Sequence, residues 1–203
     1  TVAAALDNGA DMVGFIFFPK SPRHVSVGQA SALRVAATGR SKAVAVTVDA
    51  PDPVLDEIVS GMKPDMLQLH GHETPERVAA VKARFGLPVM KAISIRERSD
   101  LDQIAPFIGI ADKFLLDAKA PKGSELPGGN GVSFDWTLLS ALDPSFDYML
   151  SGGLNADNVA AALALTNAPG LDISSGVESA PGIKDIDLIN RFFAAVSAAG
   201  EVT

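Results

Sequence analysis

The stretch MVGFIFFPKSPRHVSVGQASALRVAATGRSKAVAVTV, residues 12–48, holds an apolar run, a loop, a helical pattern and a second apolar run. Residues 12–18 and 43–48 are short, uncharged and rich in Val, Phe, Ile and Ala, as expected of parallel strands covered on both faces. Between them residues 26–38 carry a helical pattern, and Gly39 stands where that helix should stop. Strand, helix, strand in that order is a parallel unit, because parallel strands need a long crossover between their ends.

The unit repeats through the chain. Apolar runs read as strands recur at 66–70, 88–95, 113–117, 147–151 and 171–174. Helical patterns fall near 53–60, 75–85, 99–107, 135–142, 156–165 and 185–198. Their starts are marked by Asp52-Pro53, by Thr74-Pro75-Glu76 and by Asn155 or Asp157, and Gly61 and Gly86 sit where helices should end. A repeat of about 25 residues without a linker favours one closed barrel over an open doubly wound sheet. The expected fold is therefore α/β, a (β/α)8 TIM barrel forming a single domain over residues 1–203. Seven strands are visible where such a barrel has eight. The opening TVAAALDNG reads as the second half of a helix, so the remaining strand is expected ahead of Thr1.

Composition narrows the class. With 203 residues, 47% of them hydrophobic, the chain can bury one sizeable core. A formal charge of −7 with scattered Lys and Arg argues against a nucleic-acid groove. The sequence has no cysteine, so it holds neither disulfide nor thiolate metal site. No apolar run approaches the roughly 18 residues of a membrane span, and no signal-peptide pattern is present. A cytoplasmic protein without a membrane partner is expected.

In a barrel the chemistry sits where strands end. In FPKSPRH, residues 18–24, two prolines stiffen the loop that carries Arg23, whose guanidinium could clasp a carboxylate or phosphate; a solvated loop arginine is the plainer reading. KFLLDAKAPKGSELPGGNG, residues 113–131, ends an apolar run at Asp117 and opens a glycine-rich loop long enough to be a lid. Asp117 is a reacting group there or an Asx-turn residue. SGGLNADNV, 151–159, and LDISSGVESAPGIKD, 171–185, follow the last two strands, where barrels commonly bind phosphate through backbone N–H groups. His70 and His72 lack a third ligand in the sequence and are read as hydrogen-bonding groups. Trp136 is read as a packing residue at a helix start.

Taken together, GADMVGFIFFPKSPRHVS, LQLHG, LLDAKAPKGSELPGGNGVSFDW, LSGGLNADNV and LDISSGVESAPGIKD resemble the phosphoribosylanthranilate isomerases of tryptophan biosynthesis, in order and over nearly the whole chain. The resemblance implies an Amadori rearrangement of N-(5′-phosphoribosyl)anthranilate to the 1-deoxyribulose product by general acid–base catalysis, without metal or cofactor. It implies Asp117 as general acid, Arg23 on the anthranilate moiety, and Gly153, Asn155, Asp172 and Ser174 in the phosphate-binding blocks. It further implies a general-base cysteine on a strand ahead of Thr1. The expected partner is a phosphorylated small molecule, and the expected assembly a monomer or homodimer. A non-catalytic phosphosugar-binding barrel and another phosphate-binding barrel enzyme are the competing readings.

Overall fold

The computed structural model describes residues 1–200 apart from 122 and 125, so two positions of the anticipated lid lie outside the described residues. Contacts divide the chain into two compact units, Thr1–Ala92 with Phe107–Asp112, and Ile93–Pro106 with Lys113–Thr203.

The first unit contains α1 (Val2–Asp7), β1 (Met12–Phe17), α2 (Val27–Ala37), β2 (Lys42–Thr47), α3 (Asp52–Met62), β3 (Met66–Leu69), α4 (Pro75–Phe85) and the start of β4 (Val89–Ile95). Its strands pair in parallel, with Phe17 opposite Thr47, Thr47 opposite Leu69 and Leu69 opposite Lys91. Ala43, Val44, Ala45, Leu67 and Leu69 are all buried, as strands covered on both faces require. Local chemistry starts the helices. Ser26 and Gln29 form a reciprocal capping box on α2, and Thr74 Oγ1 accepts the Arg77 N–H ahead of Pro75 on α4. Gly86 closes α4 in the left-handed conformation, φ +62°.

Gly61 does not stop a helix. It lies inside α3, which runs on to a left-handed Lys63 at φ +54°. A methyl group on Gly61 would come within 2.4 Å of Val27 Cγ1, so the missing side chain lets α3 lie against the start of α2.

A buried ion pair anchors the loop after β3. Lys91 and Glu73 side chains are each 4% exposed, with Nζ and Oε2 2.9 Å apart. Lys91 Nζ also donates to the carbonyls of Leu69 and Gly71, and lies 5.8 Å from the Phe107 ring centroid. Glu73 Oε1 accepts the N–H groups of Asp49 and Gly71. One carboxylate thus ties the loop after β2 to the loop after β3.

The second unit holds the end of β4, all but the last residue of a 3-10 segment Arg98–Phe107, β5 (Lys113–Ala118), a 3-10 segment Trp136–Ala141, β6 (Tyr148–Leu150), α5 (Val159–Thr166), β7 (Gly170–Leu171), a short 3-10 turn Ser175–Val177, the strands β8 (Glu178–Ala180) and β9 (Ile183–Lys184), and α6 (Ile186–Gly200). Two segments expected as α-helices are thus tighter 3-10 structure. In the first, Pro106 has no N–H to donate within the helix. The last parallel strand is shorter than the expected 171–174. Its pairing stops at Leu171, and the hairpin β8–β9, absent from the sequence reading, follows. Hydrogen bonding orders the parallel strands β1 to β7 as they occur in the chain.

Candidate active site

In the second unit, register fixes a row of polar groups. Leu116 pairs with Leu150, and Leu150 with Leu171, so the following residues Asp117, Ser151 and Asp172 stand side by side at the C-terminal strand ends. Ser151 N–H donates to Leu116 O and Asp172 N–H to Leu150 O, both at 2.8 Å, carrying the ladder one residue further. Ser151 Oγ then donates to Asp172 Oδ2 at 3.0 Å. Ser151 escaped the sequence reading. Its signal was position alone, one residue before the glycine pair.

Asp117 is the penultimate residue of β5 and is only 4% exposed. Its Oδ1 accepts the N–H of Ala118 at 2.9 Å. The neighbouring loop presses on that same amide. Gly152 has φ +93°, and a methyl group there would come within 2.6 Å of Ala118 N and 2.7 Å of Ala118 Cβ. Glycine at 152 is what lets the turn after β6 lie against the peptide that holds the Asp117 carboxylate. Gly152→Ala is therefore expected to displace Ala118 and to lower turnover at least tenfold. It also carries the cost of about 1–2 kcal/mol for a left-handed residue. Steady-state rates and a melting curve check both effects.

Past Ala118 the chain is clamped. Lys119 Nζ donates to Asp100 Oδ1 at 2.8 Å, and Arg96 Nη2 to the Ala120 carbonyl at 2.7 Å. Asp100 is buried and also accepts the N–H groups of Arg96 and Glu97. Burial pushes its carboxyl up, but the hydrogen bonds from Lys119, Glu97 and Arg96 outweigh it and hold the group below its ordinary value. The root of the long loop is thus pinned through Ala120.

The glycine turn is built from within. Gly153 has φ +66°, and a methyl there would come within 2.8 Å of Ser133 N and Val132 C, where the long loop returns. Its carbonyl accepts Asn158 Nδ2 at 2.9 Å. Asn155 spends its polar groups on the loop, its N–H donating to Asn158 Oδ1 and its Oδ1 accepting the N–H of Asp157 and Asn158. Asn155 shapes the turn and does not present its N–H outward. Ser174 accepts from Lys184 Nζ through both its carbonyl and its Oγ, at 2.8 and 3.1 Å.

Arg23 belongs to the first unit. The chain after β1 folds back on the strand, with Val25 N–H donating to Ile16 O at 3.0 Å and His24 bridging Ile16. Ser21 fixes the turn, its Oγ accepting the Arg23 N–H at 3.1 Å and its carbonyl the His24 N–H at 3.1 Å. Arg23 is half-buried in the loop after β1. His70 Nδ1 lies 2.9 Å from Gln68 Nε2, and exposed His72 pairs with Asp49 through both its N–H and its ring. Trp136 opens its 3-10 segment with a buried Nε1 that has no hydrogen-bond partner among the described residues, which agrees with a packing role.

No helix among the described residues is long and apolar enough to cross a membrane. A family model described as N-(5′-phosphoribosyl)anthranilate (PRA) isomerase matches residues 1–195. The N-(5′-phosphoribosyl)anthranilate isomerase of Brucella canis is 70% identical over 198 residues, 98% of this chain and 89% of that protein. The crystal structure of phosphoribosyl anthranilate isomerase from Thermotoga maritima superposes with a TM-score of 0.85 at 32% identity, covering 96% of this chain and 92% of that one. A second structure of such an isomerase, in complex with reduced 1-(o-carboxyphenylamino)-1-deoxyribulose 5-phosphate, gives 0.82 at 30% identity, covering 96% and 91%. The fold class is that of the (β/α)8 barrel, with seven parallel strands among the described residues. The chain belongs to the N-(5′-phosphoribosyl)anthranilate isomerase family.

Proposed function

We propose that this protein isomerises N-(5′-phosphoribosyl)anthranilate to 1-(2-carboxyphenylamino)-1-deoxyribulose 5-phosphate, as an aldose–ketose isomerase of tryptophan biosynthesis. The observation that carries the reading is the buried Asp117 at the end of β5, pinned by Gly152, in a chain 70% identical to an isomerase of that name.

The chemistry needs one proton delivered and one removed. Asp117 protonates the furanose ring oxygen, the bond from that oxygen to C1′ breaks, and the anthranilate nitrogen forms a Schiff base with C1′. One oxygen of that carboxylate, Oδ1, accepts the Ala118 N–H, which fixes the side chain at the strand end. A base then removes the C2′ proton to give an enolamine, which takes a proton at C1′ and settles as the ketone. Carbon C1′ is reduced and C2′ oxidised within one molecule, so the electrons balance without a cofactor. The base is assigned to no residue of this chain.

Arg23 binds the anthranilate carboxylate with its two-pronged guanidinium. The phosphate is held by the loops after β6 and β7, through the backbone at Gly153 and the hydroxyl of Ser174, while Asn155 and Asp172 shape those loops. The 203 residues act as one domain, in support of which the family model runs through both compact units. A cytoplasmic monomer or homodimer is the assembly proposed. Titration with the reduced product analogue by calorimetry tests the reading. Saturable one-to-one binding that weakens in Arg23→Ala is expected, and absence of binding to the folded protein would overturn it.

A further inference from the structure

We propose that Lys184 is a positioning residue of the phosphate site, which orients the Ser174 hydroxyl as a hydrogen-bond donor. The proposal rests on the reading that Ser174 meets the substrate phosphate. An ammonium has three hydrogens to donate. Among the described residues Lys184 meets the Ser174 carbonyl at 2.8 Å, Ser174 Oγ at 3.1 Å and Glu178 Oε1 at 2.9 Å. Lys184 thus holds the Ser174 loop through both the carbonyl and the hydroxyl. A serine hydroxyl has one hydrogen and two acceptor sites. Once Oγ accepts from Lys184, that hydrogen is directed away from the ammonium, and a phosphate oxygen is the acceptor that suits it.

The surroundings hold this arrangement still. The Glu178 side chain is 3% exposed, so its carboxylate is a fixed anchor for the ammonium. The hairpin places the two opposite each other, Glu178 pairing with Lys184 across β8 and β9. Gly176, between Ser174 and Glu178, packs so closely that a methyl group would fall 1.9 Å from the Leu154 carbonyl. The Ser174 loop is thereby seated on the glycine turn after β6. None of these three residues is needed for acid–base chemistry, and the mechanism leaves Lys184 and Glu178 without another task.

The test is a double-mutant cycle read in steady-state constants. Lys184→Met is expected to raise KM for the phosphoribosyl substrate about tenfold, the worth of one charge-assisted hydrogen bond, with kcat changed less than about twofold. Ser174→Ala should do the same, and Lys184→Met/Ser174→Ala should be no worse than Ser174→Ala alone. Lys184→Arg, which can still donate to Oγ, should recover part of the loss. Effects of Lys184→Met and Ser174→Ala on KM that simply add, or a kcat that falls with KM unchanged, would overturn the positioning role and leave the phosphate reading standing. An unchanged KM in Ser174→Ala would overturn the phosphate reading itself, and the proposal with it. Should Lys184→Met not fold, Glu178→Gln decides the matter: a two- to fivefold rise in KM is expected, and none would refute the proposal.

Discussion

Asp117→Asn lowers kcat by roughly 10²–10⁴-fold, the range typical for loss of a general acid, while the reduced product analogue still binds. Asparagine matches the shape of aspartate, and its side-chain oxygen can still accept the Ala118 N–H that Asp117 Oδ1 accepts now. The Gly152 contact on Ala118 and the clamp from Lys119 to Asp100 also survive the change. What is lost is the proton, because an amide cannot supply one to the furanose oxygen. KM should move little, since the substrate's charged ends are assigned to Arg23 and to the loops after β6 and β7. Steady-state rates with calorimetry of the same sample separate the effects, and near-normal turnover would remove Asp117 from the acid's role.

Lys91→Met destabilises the protein by about 3–5 kcal/mol, the cost of stranding one member of a buried ion pair. Glu73 would keep its N–H donors from Asp49 and Gly71 but lose the ammonium that neutralises it, at a site 4% exposed. The carbonyls of Leu69 and Gly71 would lose the same donor. For a chain of this length the loss corresponds to a melting temperature lower by roughly 6–20 °C. Glu73→Gln combined with Lys91→Met should cost less than the sum of the single changes, because the uncompensated charge is then gone. Urea or thermal unfolding of the four proteins provides the cycle. A Lys91→Met protein as stable as the parent would mean that the loop after β3 is held by other contacts.

The sequence shows the parallel strands plainly because runs such as AVAVTV and KFLLD are continuous and apolar, and strands buried on both faces leave no room for other patterns. Thr74-Pro75 and Gly86 were legible for a local reason, since caps are decided by neighbours in the chain. Gly61 misled because a glycine needed for close packing against Val27 looks the same as one that ends a helix. The two 3-10 segments carry apolar spacing that a helical period fits as well, and the hairpin β8–β9 is too short to announce itself. In the site, Asp117 stood out by ending an apolar run before a long loop. Ser151, Glu178 and Lys184 did not, because what distinguishes them is a partner: Asp172 lies 21 positions from Ser151, and Ser174 lies 10 from Lys184. Asn155 was singled out by its place in the stretch 151–159, yet its own groups are turned inward on Asn158, which only coordinates reveal.

The row begun by Asp117 is proposed to serve an aldose-to-ketose rearrangement. The direct test supplies the protein with freshly generated N-(5′-phosphoribosyl)anthranilate and follows the product by mass and by NMR. A 1-deoxy-2-ketose phosphate of unchanged mass is expected in light water, formed rapidly by the parent protein and slowed at least a hundredfold in Asp117→Asn. Tight binding of the phosphoribosyl compound with no ketose formed would contradict it, and would leave a phosphosugar-binding barrel in place of an enzyme.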